Sequence, residues 1–265
     1  MAAKKSTDKV IDVMSITTGQ VSFVIKGTTP LIYNCMSNKV RQGLLFPSAS
    51  PNKAEKASRL KHDPYKEFID SAYTDPTPKS PTYLTGLSAW FKKSISNAAV
   101  DVPSVSKAEI GRLLWVDGER ISIYGVPVMK MDVTRCADMA RTPDVRTRLC
   151  VPRWACQITI RYVMPLLNEK SISSLLAFAG VSQGVGEWRT GKGSGTFGSF
   201  TLTDSSDPEY KEIVKTGGRA PQIKAMDTPA FYDAETEKLY TWFLQELRNR
   251  GKTGQAMGEG LEDAA

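Results

Sequence analysis

An α+β fold, an antiparallel sheet with helices on one face and long insertions, follows from three features of this sequence. Gln20–Gly27 and Gln157–Val163 alternate apolar and polar residues with the period of two that a half-buried strand needs. Tyr83–Ala99 and the stretch after Ser171 repeat apolar residues every three or four positions, the period of an amphipathic helix. At 265 residues and 41% hydrophobic content, the chain is long enough to bury a sizeable core, and residues 19–250 read as one elaborated domain.

Each element has a local reason. Residues 1–18 hold Lys4, Lys5 and Lys9 without apolar periodicity, which predicts a mobile basic arm. Val21, Phe23 and Ile25 form the apolar side of the first strand; Gly27 and Pro30 end it, and Leu31, Ile32 and Tyr33 extend it after a bend. Residues 38–81 are polar and broken by prolines, so they read as a long insertion with a short helix around Tyr65–Tyr73. Leu84, Leu87, Phe91, Ile95 and Ala98 mark the buried face of the helix over 83–99. Ser106 with Glu109 is a capping box that opens a helix to Leu114. Strands follow at Arg120–Tyr124 and Val126–Met131, then an Arg-rich hairpin over 130–153. Ile158, Ile160 and Tyr162 define the next strand, and Ser171 caps a helix whose stripe is Ile172, Leu175, Leu176 and Ala179, with Gly180 as its terminator. A glycine-rich loop over 180–198 feeds a strand at Thr196–Leu202. The polar stretch to Pro229 reads as flexible. Asp233 caps a last helix that docks through Leu239, Trp242, Phe243 and Leu247, and 251–265 read as a disordered tail. The order is a β-α-β-β-α-β ferredoxin-like plan with insertions, the plan of RNA-recognition domains, whose open sheet face serves stacking and backbone contacts with a single strand.

Charge and composition narrow the function. The 35 Lys and Arg against 28 Asp and Glu leave a net charge of +7, which favours an anionic partner. The first twenty residues lack a signal-peptide core, and no segment approaches the roughly 18 apolar residues of a membrane span, so a cytoplasmic location without membrane contact is expected. Cys35, Cys136, Cys150 and Cys156 form no CxxC pair and His62 is the sole histidine. These counts argue against a zinc site and against His-dependent catalysis, and they read as structural thiols and a solvated histidine. No cofactor is expected.

Two segments carry the candidate site. In 179–202 seven glycines surround Trp188, Arg189, Lys192, Phe197 and Phe200. Glycine permits positive φ and close approach, so something must pass near that backbone. Gly184 and Gly186 lack the third glycine of GxGxxG, and no GxxxxGK(S/T) is present, so the spacing does not fit a nucleotide cradle. A bulged hairpin with Trp188 and Phe197 as core is the alternative. The second segment concentrates Arg135, Arg141, Arg146, Arg148 and Arg153, and guanidinium forks suit bidentate phosphate contact. Alternation over Asp144–Cys150 puts Arg146 and Arg148 on one face of a ribbon; a solvated, salt-bridged hairpin is the alternative.

The early strand ending in GTTPLIY, the segment PTYLTGLSAWFKKSISNAA, the Arg-rich hairpin and the loop GVGEWRTGKGSGTFGSF together resemble the RAMP superfamily over about residues 20–202. Its best-known members are RNA-binding backbone subunits of CRISPR effector complexes. The resemblance implies a modified RNA-recognition fold in which Gly184, Gly186, Arg189, Lys192, Gly193 and Gly195 contact phosphates and Arg135, Arg141, Arg146 and Arg148 form a thumb-like arm. The long segment 38–81 departs from the family, so no cleavage aspartate is carried over to Asp63 or Asp75. The wording of the glycine loop is also similar to uncharacterised tailed-phage proteins. The expectation is a non-enzymatic protein that binds single-stranded RNA or DNA, stacks bases on Trp188 and Phe197, and assembles side by side with copies of itself. A phage structural or assembly protein is the alternative. A metal-dependent nuclease ranks behind both, because no compact acidic pair stands in a strand context.

Overall fold

A computed structural model describes residues 15–46, 60–103, 105–135, 142–192, 195–252, 254 and 257–258. Most of the basic arm, Cys136, Arg141 and Gly193 lie outside the described residues. The elements in chain order are β1 (Thr17–Gly27), β2 (Leu31–Ile32), α1 (Asn38–Leu45), α2 (Pro64–Asp70), β3 (Thr85–Leu87), α3 (Ser88–Ala98), α4 (Lys107–Leu113), β4 (Leu114–Val116), β5 (Arg120–Tyr124), β6 (Val128–Arg135), β7 (Pro143–Val151), β8 (Ala155–Met164), α5 (Glu169–Ser182), β9 (Phe200–Thr203), α6 (Pro208–Thr216), α7 (Arg219–Asp227), β10 (Ala230–Phe231) and α8 (Ala234–Asn249).

The central antiparallel sheet runs β3-β5-β8-β1-β9, with β4 on the same edge of β8 as β5. Taking β1, β5, β8 and β9 as the four strands of the plan, their spatial order is fourth, first, third, second. That is the ferredoxin-like order, with α3 and α5 as its two crossovers. Register explains the two faces. Val21 lies opposite Ile160, Phe23 opposite Ile158 and Ile25 opposite Cys156, and this side meets Phe91 and Ile95 of α3 and Ile172 and Leu176 of α5. Each such side chain taken out of water contributes about 1.5–3 kcal/mol before entropy is counted. The opposite side pairs Gln20 with Arg161 and Ser22 with Thr159, whose hydroxyls hydrogen-bond at 2.8 Å.

Between β5 and β8 the chain inserts β6 and β7, the centre of a second sheet, β10-β6-β7-β2, in which β10 is parallel to β6 and the other pairs are antiparallel. Its β6–β7 hairpin is the Arg-rich ribbon. Met129, Met131 and Leu149 are buried on one face, where α2 packs on β7 and α8 on β6. Lys130, Asp132 and Thr134 lie opposite Arg148, Arg146 and Asp144 on the other.

Several sequence expectations change. The helix expected over 83–99 starts at Ser88, because Thr85–Leu87 pair with β5 as a strand. The cap of α5 is Asn168, which accepts from the Ser171 N–H, rather than Ser171 itself. Gly180 does not end that helix; a Cβ there would stand 2.2 Å from the Phe200 carbonyl oxygen, so it lets α5 close on β9. Gly184, at φ 62°, takes the terminating position. The strand expected at 196–202 is Phe200–Thr203, and the second strand of the pair expected at 126–131 runs Val128–Arg135. Residues 203–229 are not flexible coil but hold α6, capped by Asp207 with Pro208 at its first position, and α7. The insertion over 38–81 contains α1 and α2. On α8, Tyr240 and Leu247 are buried while Trp242 is 57% exposed, so the docking stripe is rotated from the one expected. The caps Ser106 and Asp233 are as expected.

Gln222 on α7 ties these parts together. Its fully buried amide accepts from the Tyr83 and Leu84 N–H groups and donates to the carbonyls of Ile123, Gly125 and Gly217. Gln222→Leu fills similar space but strands buried partners, at about 1–3 kcal/mol each. Urea unfolding should show a loss of about 3–5 kcal/mol; a loss below about 1 kcal/mol would mean the strand end does not depend on this amide.

Candidate nucleic-acid interface

The segment after β1 and the glycine loop, far apart in sequence, are stitched together by backbone. The N–H groups of Thr28 and Thr29 donate to the Ser199 carbonyl, Gly198 N–H to Pro30, Val185 N–H to Gly198 and Glu187 N–H to Ile32. Gly198 has φ 70°, and a Cβ there would lie 1.8 Å from the Val185 carbonyl oxygen; at Gly186, φ 79°, it would lie 2.6 Å from that of Ile32. What approaches these glycines is the protein's own chain. The effect is to hold Glu187 and Trp188 at one place beside β2. Trp188 itself adopts φ 49°, an uncommon conformation for a bulky residue. Its ring sits 6.2 Å from that of Phe197, centroid to centroid.

The pleat of β7 puts Arg146 and Arg148 on the same face, as the alternation requires. Arg148 Nε donates to Glu187 at 3.0 Å, joining hairpin to loop, and its Nη1 donates to its neighbour's carbonyl, that of Thr147. Arg146 Nε stands 3.5 Å from Asp144, and its side chain is 44% exposed with no partner on either terminal nitrogen among the described residues. Together with Arg135, Thr134, Ile32, Glu187 and Trp188 they line a cleft of about 190 Å³. The arginine ribbon and the glycine loop therefore share one wall-to-wall feature.

Other expected site residues are elsewhere. Arg153 turns away to Glu212, at 2.8 Å, and Glu209 on α6. Arg189 donates to the Gly186 carbonyl at 3.1 Å, and burial lowers its pKa, so it braces the loop from within. Lys192 is exposed on a single 3-10 turn, Thr190–Lys192. Gly184 packs against Gly198, and a Cβ on Gly195 would meet the Trp188 carbonyl oxygen at 1.9 Å. Phe197 lies 5.8 Å from the ammonium of Lys130, which is almost buried, bonded to Asp132 and 4.9 Å from the Tyr232 ring. The open face of the central sheet carries no ring on β1 or β8. Trp115, 40% exposed on β4, and Tyr124, half-buried on β5 opposite Ala155, are aromatic groups on that face, and Arg161 there is tied to Asp117.

Sequence reasoning missed Glu187 and the surroundings of His62. His62 is half-buried rather than solvated: its Nδ1 meets Glu67 at 2.7 Å and its Nε2 meets Asp144 at 2.9 Å. Glu67 also accepts from the Thr147 N–H on the free edge of β7, and Lys61 reaches Asp144 at 2.9 Å. The hydrogen bond that His62 donates to the Glu67 carboxylate raises the His62 pKa, and Lys61 and His62 lower that of Asp144. A raised folded pKa stabilises fully below the unfolded value of about 6.5 and is lost as pH rises through the folded one. The stability gap between the native chain and His62→Gln should therefore be larger at pH 5.5 than at pH 9. Urea midpoints measured across that range check this, and equal gaps at both ends would mean the bridge contributes nothing. Among the described residues no group of three or more His, Cys, Asp or Glu side chains is arranged to hold a metal ion.

No family model and no curated protein matches the chain. Among solved structures 21 chains match. A type III-B Cmr-beta bound to cognate target RNA, solved by cryo-EM, matches at 12% identity and a TM-score of 0.36, over 70% of this chain and 59% of that one. Cmr6 from Pyrococcus furiosus matches at 13% identity and a TM-score of 0.27, over 72% of this chain and all of that one. Both are Cmr proteins, and the chain spans about 59% of the length of the first. No helix among the described residues is long and apolar enough to cross a membrane.

Proposed function

We propose that this protein is a non-enzymatic single-strand nucleic-acid binder whose strand runs through the cleft between the β6–β7 hairpin and the glycine loop. The supporting observation is the convergence of Arg135, Arg146 and Arg148 with Trp188 in that cleft. Arginine forks suit phosphates, and a ring beside them suits a base, at about 1–3 kcal/mol per stack. Arg146 meets a phosphate without giving up a partner at its terminal nitrogens, whereas Arg148 shares its charge with Glu187. Phosphate neutralisation releases counterions, so three arginine contacts should give log K a slope near about −2 against log salt on a single strand. Titrating fluorescent single-stranded RNA and DNA over a salt series tests this. No affinity at low salt, or affinity indifferent to salt, would overturn it.

A second reading, a phage structural or assembly protein, is favoured by the apolar exposure of α1, where Leu44 and Leu45 are 70% and 72% exposed. Sizing the purified protein before and after nuclease treatment separates the two. Assemblies that persist without nucleic acid, from protein that binds no strand, support the second.

A further inference from the structure

The cleft that gathers the arginines also holds one carboxylate. Glu187 and Trp188 are adjacent in sequence and both line it, although consecutive side chains of an extended segment point to opposite sides. The left-handed backbone of Trp188, φ 49°, breaks that alternation and turns ring and carboxylate toward the same space. Glu187 is held from two directions. Its N–H donates to the Ile32 carbonyl at 3.0 Å, and its Oε2 accepts from Arg148 Nε at 3.0 Å. Arg148 is itself anchored on the Thr147 carbonyl. The Glu187 Oε1 has no partner among the described residues, and the side chain is 27% exposed. A fixed carboxylate with a free oxygen does not suit a site for phosphates alone, because like charges set side by side oppose binding. It suits a site that also reads a hydrogen-bond donor.

Resting on the strand path given above, we propose that Glu187 reads the base stacked on Trp188 and selects guanine. An ionised carboxylate accepts hydrogen bonds and donates none. Guanine alone among the common bases carries two neighbouring donors on its Watson–Crick edge, N1–H and the N2 amino group, which meet a carboxylate as a parallel pair. Adenine sets its N6 amino group beside the acceptor N1, cytosine its N4 amino group beside the acceptor N3, and uracil and thymine flank N3–H with two carbonyls. Each of these turns a lone pair against the carboxylate and leaves a polar atom unmatched. Oε1 and the remaining lone pair of Oε2 supply the two acceptors, so the bond from Arg148 stays intact. Phosphates then lie toward Arg135 and Arg146 on the hairpin, and the base lies toward the loop. A ribose 2′-hydroxyl offers a single donor and fills only half of the site. A bidentate contact of this kind is expected to favour guanine about 10- to 100-fold.

Fluorescence anisotropy of the full chain with a labelled oligouridylate carrying interspersed guanosines tests this. The comparison strands hold inosine, adenosine or cytidine at those places, and each is also made with deoxyribose. The native chain should bind the guanosine strand about 10- to 100-fold more tightly than the adenosine and cytidine strands. Inosine, which lacks the N2 amino group, should fall between them, and the ranking should be the same on deoxyribose. Glu187→Gln should lose the preference, because its amide sets a donor where guanine also has one. Strands without guanine should bind that variant at least as tightly as the native chain, since a negative charge has left the cleft. A native chain that binds strands but ranks the bases alike overturns this inference and leaves strand binding standing; one that binds no strand overturns both. A Gln variant that keeps the guanine preference overturns it, as does one that weakens every strand equally, which assigns Glu187 to joining loop and hairpin. A preference for ribose, without one for guanine, that Glu187→Gln removes would assign the carboxylate to the 2′-hydroxyl and overturn it as well. Should circular dichroism show that Glu187→Gln does not fold, the base series on the native chain decides, with inosine binding as tightly as guanosine overturning the inference.

Discussion

Replacing Arg146 and Arg148 together by alanine is expected to weaken single-strand binding about 100-fold and to take about 1.4 off the salt slope. The first figure follows from two charge-assisted contacts at about 1.5–3 kcal/mol each, partly offset by the ion pairs already present. Arg148→Ala carries an extra penalty, because it leaves Glu187 as an unpaired carboxylate in the wall of the cleft, where it repels phosphate. Arg146→Ala removes the more exposed guanidinium and leaves Asp144 with His62 and Lys61. Arg153→Ala is the control, since its partners lie on α6 and it does not line the cleft. Affinity that falls equally with the control would show that net charge, rather than this cleft, attracts the strand. Unchanged affinity in the double variant would move the site elsewhere.

Gly198→Ala is expected to destabilise the protein by about 3 kcal/mol or more and to abolish strand binding with it. Left-handed backbone with a Cβ costs about 1–2 kcal/mol by itself. Here the added carbon would also overlap the Val185 carbonyl oxygen at 1.8 Å, and the hydrogen bonds from Gly198 to Pro30 and from Val185 to Gly198 would have to open. Urea unfolding gives the stability, and amide exchange at Val185, Glu187 and Gly198 reports whether the stitched loop opens before the rest. The matched control is Gly43→Ala in α1, where nothing lies within 4 Å of the new carbon and ordinary helix propensity predicts a gain of about 0.5–1 kcal/mol. Destabilisation of similar size at both positions would show that packing at Gly198 is not the cause.

Local chemistry is what the sequence displays best. The faces of β1 and β8 were readable because a strand's side chains alternate regardless of context, and the same period put Arg146 beside Arg148 on the ribbon. Ser106 and Asp233 were readable as caps because the hydrogen bond they accept comes from three residues away. Gly180 misled for the opposite reason. Its place near a helix end looks like a terminator, but its requirement is set by Phe200, which reaches it only after β9 joins β1. The polar residues 203–229 hid two helices whose buried side chains are few, Ile213, Gln222 and Met226 among them, too sparse for a periodic signal.

By itself, then, the sequence determined the core strands and the two crossover helices, the buried faces of β1 and β8 and the basic ribbon, all of which depend on neighbours within a turn or a pleat. Only the tertiary structure decided which arginines act together. Arg153 is drawn off by Glu212, 59 positions away, and Arg148 is fixed by Glu187, 39 positions away. The seven glycines that suggested a passing ligand are, at Gly184, Gly186, Gly195 and Gly198, spent on the chain's own backbone. Ion pairs and close backbone approaches of this kind arise from chain segments that meet only on folding, and no spacing along the sequence encodes which carboxylate or carbonyl will arrive.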